Sequence, residues 1–270
     1  MIVHPIKTPY LPLGQRGKGE VETSVVSVPW DSHHFEIPIA RIISPDLNDD
    51  ALAAVLSFAK SEGFDLVYWG TRSGCDLPQN LLRKFSGLLV DRKAAFHKKH
   101  MPELISDPVE KLNPSLKVVE YTQSLPTEQL LALAVQSGIH SRFNVDSYIP
   151  KEKFESMYHI WMKRSVAHEL ADVVFVVMNP SSIEQYLGVI TASVEHGVGQ
   201  IGLISVFQPY QGQGIGSLLM HAMDEWMHAN DVNEKVVVTQ QDNITACNLY
   251  SRFGYRLESL KNFYHFWVQR

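Results

Sequence analysis

Along the second half of the chain the apolar residues keep switching between a two-residue and a 3.6-residue period, which is how strands alternating with helices look in a sequence. Residues 117–121 read as a strand, and 126–137 as a helix opened by Pro126. In 151–167, Phe154, Tyr158, Trp161 and Met162 fall at helical spacing and predict a second amphipathic helix. The strand-like run 173–178 ends in the turn-forming Asn179-Pro180-Ser181-Ser182. Residues 186–194 and 200–206 then read as two strands joined through His196-Gly197-Val198-Gly199, a hairpin signal. A helix over 216–229, a strand at 235–239, a helix over 244–252 and strands near 255–259 and 263–269 complete this half. No internal repeat or low-complexity tract is evident.

The first 115 residues carry a weaker pattern. A strand is expected at 35–43, a helix at 49–61 capped near Asn48, and a second strand at 66–69. A further apolar run lies at 88–90, and 101–114 is rich in Pro, Asp and Ser, as a linker would be. The pattern therefore predicts a small α/β domain over 1–115 ahead of a larger α/β domain over 116–270.

The junction between residues 203 and 218 is the most informative stretch. The apolar run Leu203, Ile204, Ser205, Val206 enters a loop containing Gln211, Gly212, Gln213 and Gly214. The loop opens directly into the helix that begins at Ile215, Gly216 and Ser217. Such a junction aims unpaired backbone N–H groups and the positive end of the helix dipole at one point, where a phosphate or pyrophosphate is the expected occupant. Glycines let a ligand approach those amides and tolerate positive φ. A phosphate loop of the Walker type would need Lys before Ser217 and finds Gly216. The dinucleotide spacing G-x-G-x-x-G is not met. Asp242 superficially suits the ribose acid, but the chain ends at Arg270, too soon for a second nucleotide-binding half.

The remaining pattern, Gln211-x-x-Gly214-x-Gly216, resembles the loop with which the GCN5-related N-acetyltransferases hold the pyrophosphate of acetyl-CoA. A second signature lies at a suitable distance. Residues 243–255 are similar to the family's N-x-x-A-x-x-x-Y-x-x-x-G-F/Y, with Asn243, Ala246, Tyr250, Gly254 and Tyr255 in place. The resemblance implies the acyl-CoA N-acyltransferase fold, a mixed and mostly antiparallel sheet flanked by helices, preceded here by the smaller α/β domain. It implies acetyl-CoA as co-substrate, Asn243 on the pantetheine side and Tyr250 as proton donor to the departing thiolate. Within the family, Trp30–Pro38, Ser141–Phe143 and Tyr148–Pro150 make the layout similar to the dTDP-fucosamine acetyltransferases. That similarity implies a dTDP-linked 4-amino-6-deoxy sugar as acceptor. A polyamine, an aminoglycoside or a protein amine is the alternative acceptor, and a non-catalytic acyl-CoA module the alternative function.

Composition adds exclusions. With 45% hydrophobic and 20% charged residues the chain is that of an ordinary globular protein, and a net charge of −5 argues against nucleic acid as a partner. Cys75 and Cys247 lack metal spacing and suit a reducing cytoplasm, so no metal is expected. The longest apolar runs are strand-sized, and the first residues lack a leader's pattern, so no membrane partner is expected. The small domain is expected to supply either a wall over the acceptor site or the surface of a homodimer.

Direct transfer to an amine needs proximity, a donor for the developing oxyanion and a proton for sulfur. Backbone amides of residues 203–206 are expected to supply the oxyanion and pantetheine contacts, through a splay between this strand and 235–239. Arg142 suits a bidentate contact to an acceptor phosphate, and Phe143 could pack on its sugar or base. The base is left open: Glu195 and His196 read as a loop tip, and His33 and His34 as surface or packing residues. Cys247, without a partnered His, reads as packing.

Overall fold

The computed structural model describes residues 24–71, 76–99, 116–179 and 186–270. Cys75, the segment 101–114, the boundary near 115 and most of the Asn179–Ser182 turn lie outside them. In chain order the elements are β1 (Val25–Ser27), α1 (Pro29–Phe35), β2 (Ile39–Ile42), α2 (Asp49–Ser61), β3 (Leu66–Gly70), α3 (Gln79–Lys84) and β4 (Gly87–Lys99). They continue with β5 (Lys117–Glu120), α4 (Glu128–Ser137), α5 (Arg142–Val145), α6 (Lys151–Val166), β6 (Val173–Met178), β7 (Tyr186–Glu195) and β8 (Val198–Val206). A 3₁₀ turn (Gln208–Tyr210), α7 (Ile215–Ala229), β9 (Glu234–Gln240), α8 (Ile244–Arg252) and β10 (Arg256–Phe266) complete the chain.

All ten described strands form one sheet in the order β1-β2-β3-β10-β4-β9-β8-β7-β6-β5. The pairs β2/β3 and β8/β9 are parallel and the rest antiparallel. The architecture is thus the mixed, mostly antiparallel α/β sheet that the pattern predicts. The order carries an exchange: β10, from the end of the chain, lies beside β3, while β4, from the first part, lies beside β9.

Several predicted elements shift. The strand expected at 35–43 is instead α1 followed by β2, with Glu36 between them in the left-handed conformation at φ 61°. Pro29 opens α1, where its missing N–H is not needed. The two expected terminal strands are one long β10, because pairing with β4 carries the half-exposed stretch Glu258–Lys261 through as strand. The short apolar run at 88–90 is the start of β4, which continues through the charged residues 91–93 under the same pairing. The hairpin falls where expected, with His196 and Gly197 both at positive φ. Asn48 caps α2 as expected, its side chain accepting from a first-turn amide, whereas α4 begins at Glu128 behind a Thr127 cap rather than at Pro126, and Asn243 caps α8 in the same way.

Two cores lie on opposite faces of the sheet's second half. One gathers Leu130, Phe154, Met157, Tyr158 and Met162 from α4 and α6, with Phe35 from α1. The other gathers Leu219, Met220 and Met223 from α7 with Tyr250 and Phe253 near α8. A third core packs α2 and α3 against β2, β3 and β10. No described helix is long and apolar enough to cross a membrane.

Candidate functional site

The strand before the glycine loop contains a β-bulge. Ile190 pairs with Ile204 but Ala192 with Ile201, so Gly202 and Leu203 together oppose Thr191. Thr191 Oγ1 accepts the Leu203 N–H at 2.9 Å. A Cβ on Gly202 would approach that same oxygen to 2.7 Å, which keeps the position small.

Beyond the bulge the sheet opens. β8 and β9 pair in parallel only from Val198/Glu234 to Ile201/Val237, and the last residues of both strands have parted. The expected splay is therefore present. Phe207 N–H donates to Leu187 O, so the antiparallel alternation turns the Ser205 amide toward β7 and those of Ile204 and Val206 toward the opening. This narrows the expected backbone contacts. The Leu203 amide is already used by Thr191, and the Ser205 amide faces the wrong strand.

The loop itself is arranged for an anion. Gly212 has φ 76° and Gly214, the N-cap of α7, φ 81°. The first bond into the helix runs from Leu218 N–H to Gly214 O, so the amides of Gly214, Ile215, Gly216 and Ser217 have no partner within the helix. A Cβ on Gly212 would meet nothing within 4 Å, which leaves open space above the loop. The residues present fit a pyrophosphate at this helix end. Gln211 plays a different part from the expected one: its N–H donates to Gln208 O and its side chain to Val206 O, so it shapes the loop. The Gln213 side chain likewise donates to Pro209 O. The Ile215 side chain is in the core, leaving only its amide for a ligand.

A cavity of about 580 Å³ continues from the opening. Asn243, Ala246 and Tyr250 line it from α8, while Met157, Tyr158 and Trp161 line it from α6. Since α8 and α6 belong to cores on opposite faces, the cavity passes through the sheet where β8 and β9 part.

Asn243 Oδ1 accepts the Ala246 N–H at 3.2 Å, so this residue caps α8 as well as lining the cavity. The Tyr250 ring is 2% exposed, and burial pushes its phenol well above the ordinary range, so it remains protonated as a proton donor must. Gly254 closes α8 at φ 78°, and Tyr255 N–H returns to Tyr250 O. Cys247 Sγ faces Gln240 O at 3.6 Å, and burial raises its thiol, in keeping with packing.

On the far face the cavity is lined by Trp30, Asp31, Asp91, Lys93, Arg142 and Phe143. Four of these come from the first 115 residues, so the N-terminal part walls this end of the cavity. Arg142, 7% exposed, has its guanidinium 4.5 Å from the Phe143 ring centroid, 4.6 Å from Tyr68 and 5.6 Å from Phe263. Ring stacking engages a guanidinium face and leaves its N–H edge for hydrogen bonds. Phe143 stacks on Phe35 at 5.4 Å.

Burial pushes Asp91 up to about 7, against the charges of Arg142 and Lys93 and helped by Asp242. Burial and then Arg142 push Lys93 down to about 8, with Asp91 opposing. Asp31 is also raised by burial, against Arg142 and a Tyr68 hydrogen bond.

Sequence reasoning misses Asp31, Asp91 and Lys93. The signal for the last two was the alternation within β4: residues 91, 93 and 95 line the cavity, while 90 and 94 are buried away from it. Glu195 and His196 reach the cavity at the hairpin. His34 stacks on Trp30 at 4.9 Å and its Nε2 lies 2.8 Å from Lys153 O, a packing role. Among the described residues no group of three or more His, Cys, Asp or Glu is placed to hold a metal.

Residues 139–255, which contain the bulge, the loop, the opening and Tyr250, match the acetyltransferase (GNAT) family model. Over this segment, which is less than half of the chain, the protein is similar to the GNAT acetyltransferases. GNAT enzymes use acetyl-CoA, in agreement with the anion cradle. The whole chain is similar in fold to a functionally unknown conserved protein from Staphylococcus epidermidis, with TM-score 0.61, 11% identity and 90% of each chain covered. It is similar also to a GCN5-related N-acetyltransferase from Sphaerobacter thermophilus, with TM-score 0.55, 11% identity, and 89% of this chain and 75% of that one covered. A tandem GNAT protein of the clavulanic acid biosynthesis pathway gives TM-score 0.54 at 12% identity, over 85% of this chain and 75% of that one. No curated protein matches the chain. At these identities the likeness is one of fold, and it extends over the N-terminal part as well as the segment that matches the family model.

Proposed function

We propose that the chain transfers acetyl from acetyl-CoA directly to a primary amine, and that this amine belongs to an acceptor carrying an anionic group. The amides of residues 214–217 would hold the pyrophosphate, and those of Ile204 and Val206 the pantetheine and the carbonyl oxygen. Tyr250 would give a proton to sulfur as the thioester breaks. The observation that carries the reading is a cavity through the sheet, with Tyr250 on one side and two cations, the buried Arg142 and the half-buried Lys93, on the other. Burying cations is costly, and an acceptor phosphate or pyrophosphate would compensate them.

A nucleotide-linked 4-amino-6-deoxy sugar, such as a dTDP-amino sugar, is an acceptor of this kind. The stretches Trp30–Pro38 and Ser141–Phe143, which suggest it in sequence, both contribute to the cavity's far wall. The test is thiol release from acetyl-CoA with sugar nucleotides carrying an amine, the free amino sugars, polyamines, aminoglycosides and peptides. The expected result is turnover of the nucleotide-linked amines with the free sugars far poorer, because remote binding energy orients the amine. Arg142→Ala should weaken the nucleotide-linked acceptors and leave acetyl-CoA binding intact. Efficient turnover of polyamines or peptides, with none of the sugar nucleotides, would replace the acceptor and keep the transferase.

A further inference from the structure

An acceptor amine with an ordinary pKa near 10 arrives as an ammonium ion, and it cannot attack until a proton leaves. We infer that Asp91, contributed by the N-terminal part, is the group that takes this proton. The inference rests on the N-acetyltransferase reading and adds the base that the reading lacks.

Three observations converge on Asp91. It lines the cavity that also holds Tyr250, on the wall shared with Arg142 and Lys93. Its Oδ1 is buried without a hydrogen-bond partner, an acceptor atom that a closed core would not leave unsatisfied. A β-bulge aims it: Phe263 of β10 pairs with Asp91 and Tyr264 with Leu89, so Val90 is passed over and the strand turns at this point. The charged and titratable groups around it are Arg142 from α5, Lys93 from its own strand, Asp242 from the loop before α8 and Tyr158 from α6. Their balance with burial leaves the carboxyl near 7, where it is substantially ionised at neutral pH yet basic enough to accept a proton.

The proton balance closes with groups already in the cavity. Asp91 carboxylate takes one proton from the ammonium, and the freed lone pair forms the N–C bond to the acetyl carbonyl carbon. As the C–S bond breaks, Tyr250 protonates sulfur and recovers a proton from the attacking nitrogen. One proton remains on Asp91 and returns to solvent. The products are the amide, the thiol and one released proton.

The experiment compares wild type, Asp91→Asn and Asp91→Glu between pH 5.5 and 9.5. It measures thiol release with the best amine from the panel above and acetyl-CoA binding by calorimetry. Asp91→Asn should bind acetyl-CoA as wild type does but lose roughly 10²–10⁴-fold in kcat/KM at pH 7. It should also lose the acid limb near pH 7, its rate rising toward alkaline pH as free amine accumulates. Asp91→Glu should keep an acid limb at reduced rate. An Asp91→Asn enzyme with an unchanged acid limb and near wild-type rate overturns the assignment while the transferase reading stands. A wild-type protein that acetylates no amine in the panel overturns that reading, and the assignment with it.

Discussion

Tyr250 and Gly214 are where single atoms matter most. Tyr250→Phe keeps the ring packed against Phe96 and Tyr255, at 5.9 and 6.1 Å, and removes only the O–H. Folding and acetyl-CoA affinity should hardly change, while turnover should fall roughly 10²–10⁴-fold. Steady-state kinetics beside calorimetry checks this, and near wild-type turnover would move the donor elsewhere. Gly214 is held at φ 81° at the head of α7. Gly214→Val would put a branched side chain in a left-handed conformation, at about 1–2 kcal/mol or more, and beside the amides offered to phosphate. Saturable acetyl-CoA binding should disappear from a variant that still folds; an unchanged calorimetric affinity would displace the cofactor from this loop.

At the scale of elements, the opening depends on how β8 is bent. The bulge at Gly202–Leu203 is closed by one side chain, Thr191, whose hydroxyl satisfies a buried amide. Thr191→Val keeps shape and removes that acceptor, leaving the Leu203 N–H unsatisfied at a cost of about 1–3 kcal/mol. Denaturant unfolding should show this loss, together with a weaker acetyl-CoA affinity because the Ile204 and Val206 amides are no longer held in place. Wild-type stability and affinity together would mean that the bulge does not need the hydroxyl.

For the whole molecule, the exchange of β4 and β10 makes the two parts of the chain one sheet. A fragment spanning 116–270 would lack β3 and β4, leaving the β9 edge and both sides of β10 without their partners. It should fail to give a soluble, cooperatively unfolding protein, whereas coexpression with 1–115 should rescue it; a stable lone fragment would contradict this.

Stability against pH reports on two buried groups of opposite sign. Asp91 titrates near 7 rather than 3.8, so the folded state retains a proton the unfolded chain has lost, and its contribution falls as pH rises from about 4 to 7. His265 donates its Nδ1–H to Asp146 at 2.6 Å, and burial holds it down at about 4 rather than 6.5. Its contribution is therefore lost as pH falls from 6.5 to 4. Over that window the two largely cancel. Asp91→Asn should be more stable than wild type at pH 7.5, and should lose more stability on acidification to pH 4.5. Equal pH slopes for the two proteins would refute the opposition.

Sequence by itself determined what depends on neighbours along the chain: the glycine loop and its helix, the Asn48 cap, the hairpin and the Asn243–Tyr250 helix. These are local because backbone conformation and first-turn hydrogen bonds involve residues only a few positions apart. The same patterns also carried the acetyltransferase resemblance. The far wall of the cavity was decided only by tertiary structure. Asp91 and Lys93 look like ordinary solvated charges on a strand until β10 covers one edge of β4 and β9 the other. Pairing across such distances in the chain is set by the packing of the whole sheet, which no local pattern encodes. Burial then alters their chemistry, because a carboxyl moves from 3.8 to about 7 only when the fold removes the water around it.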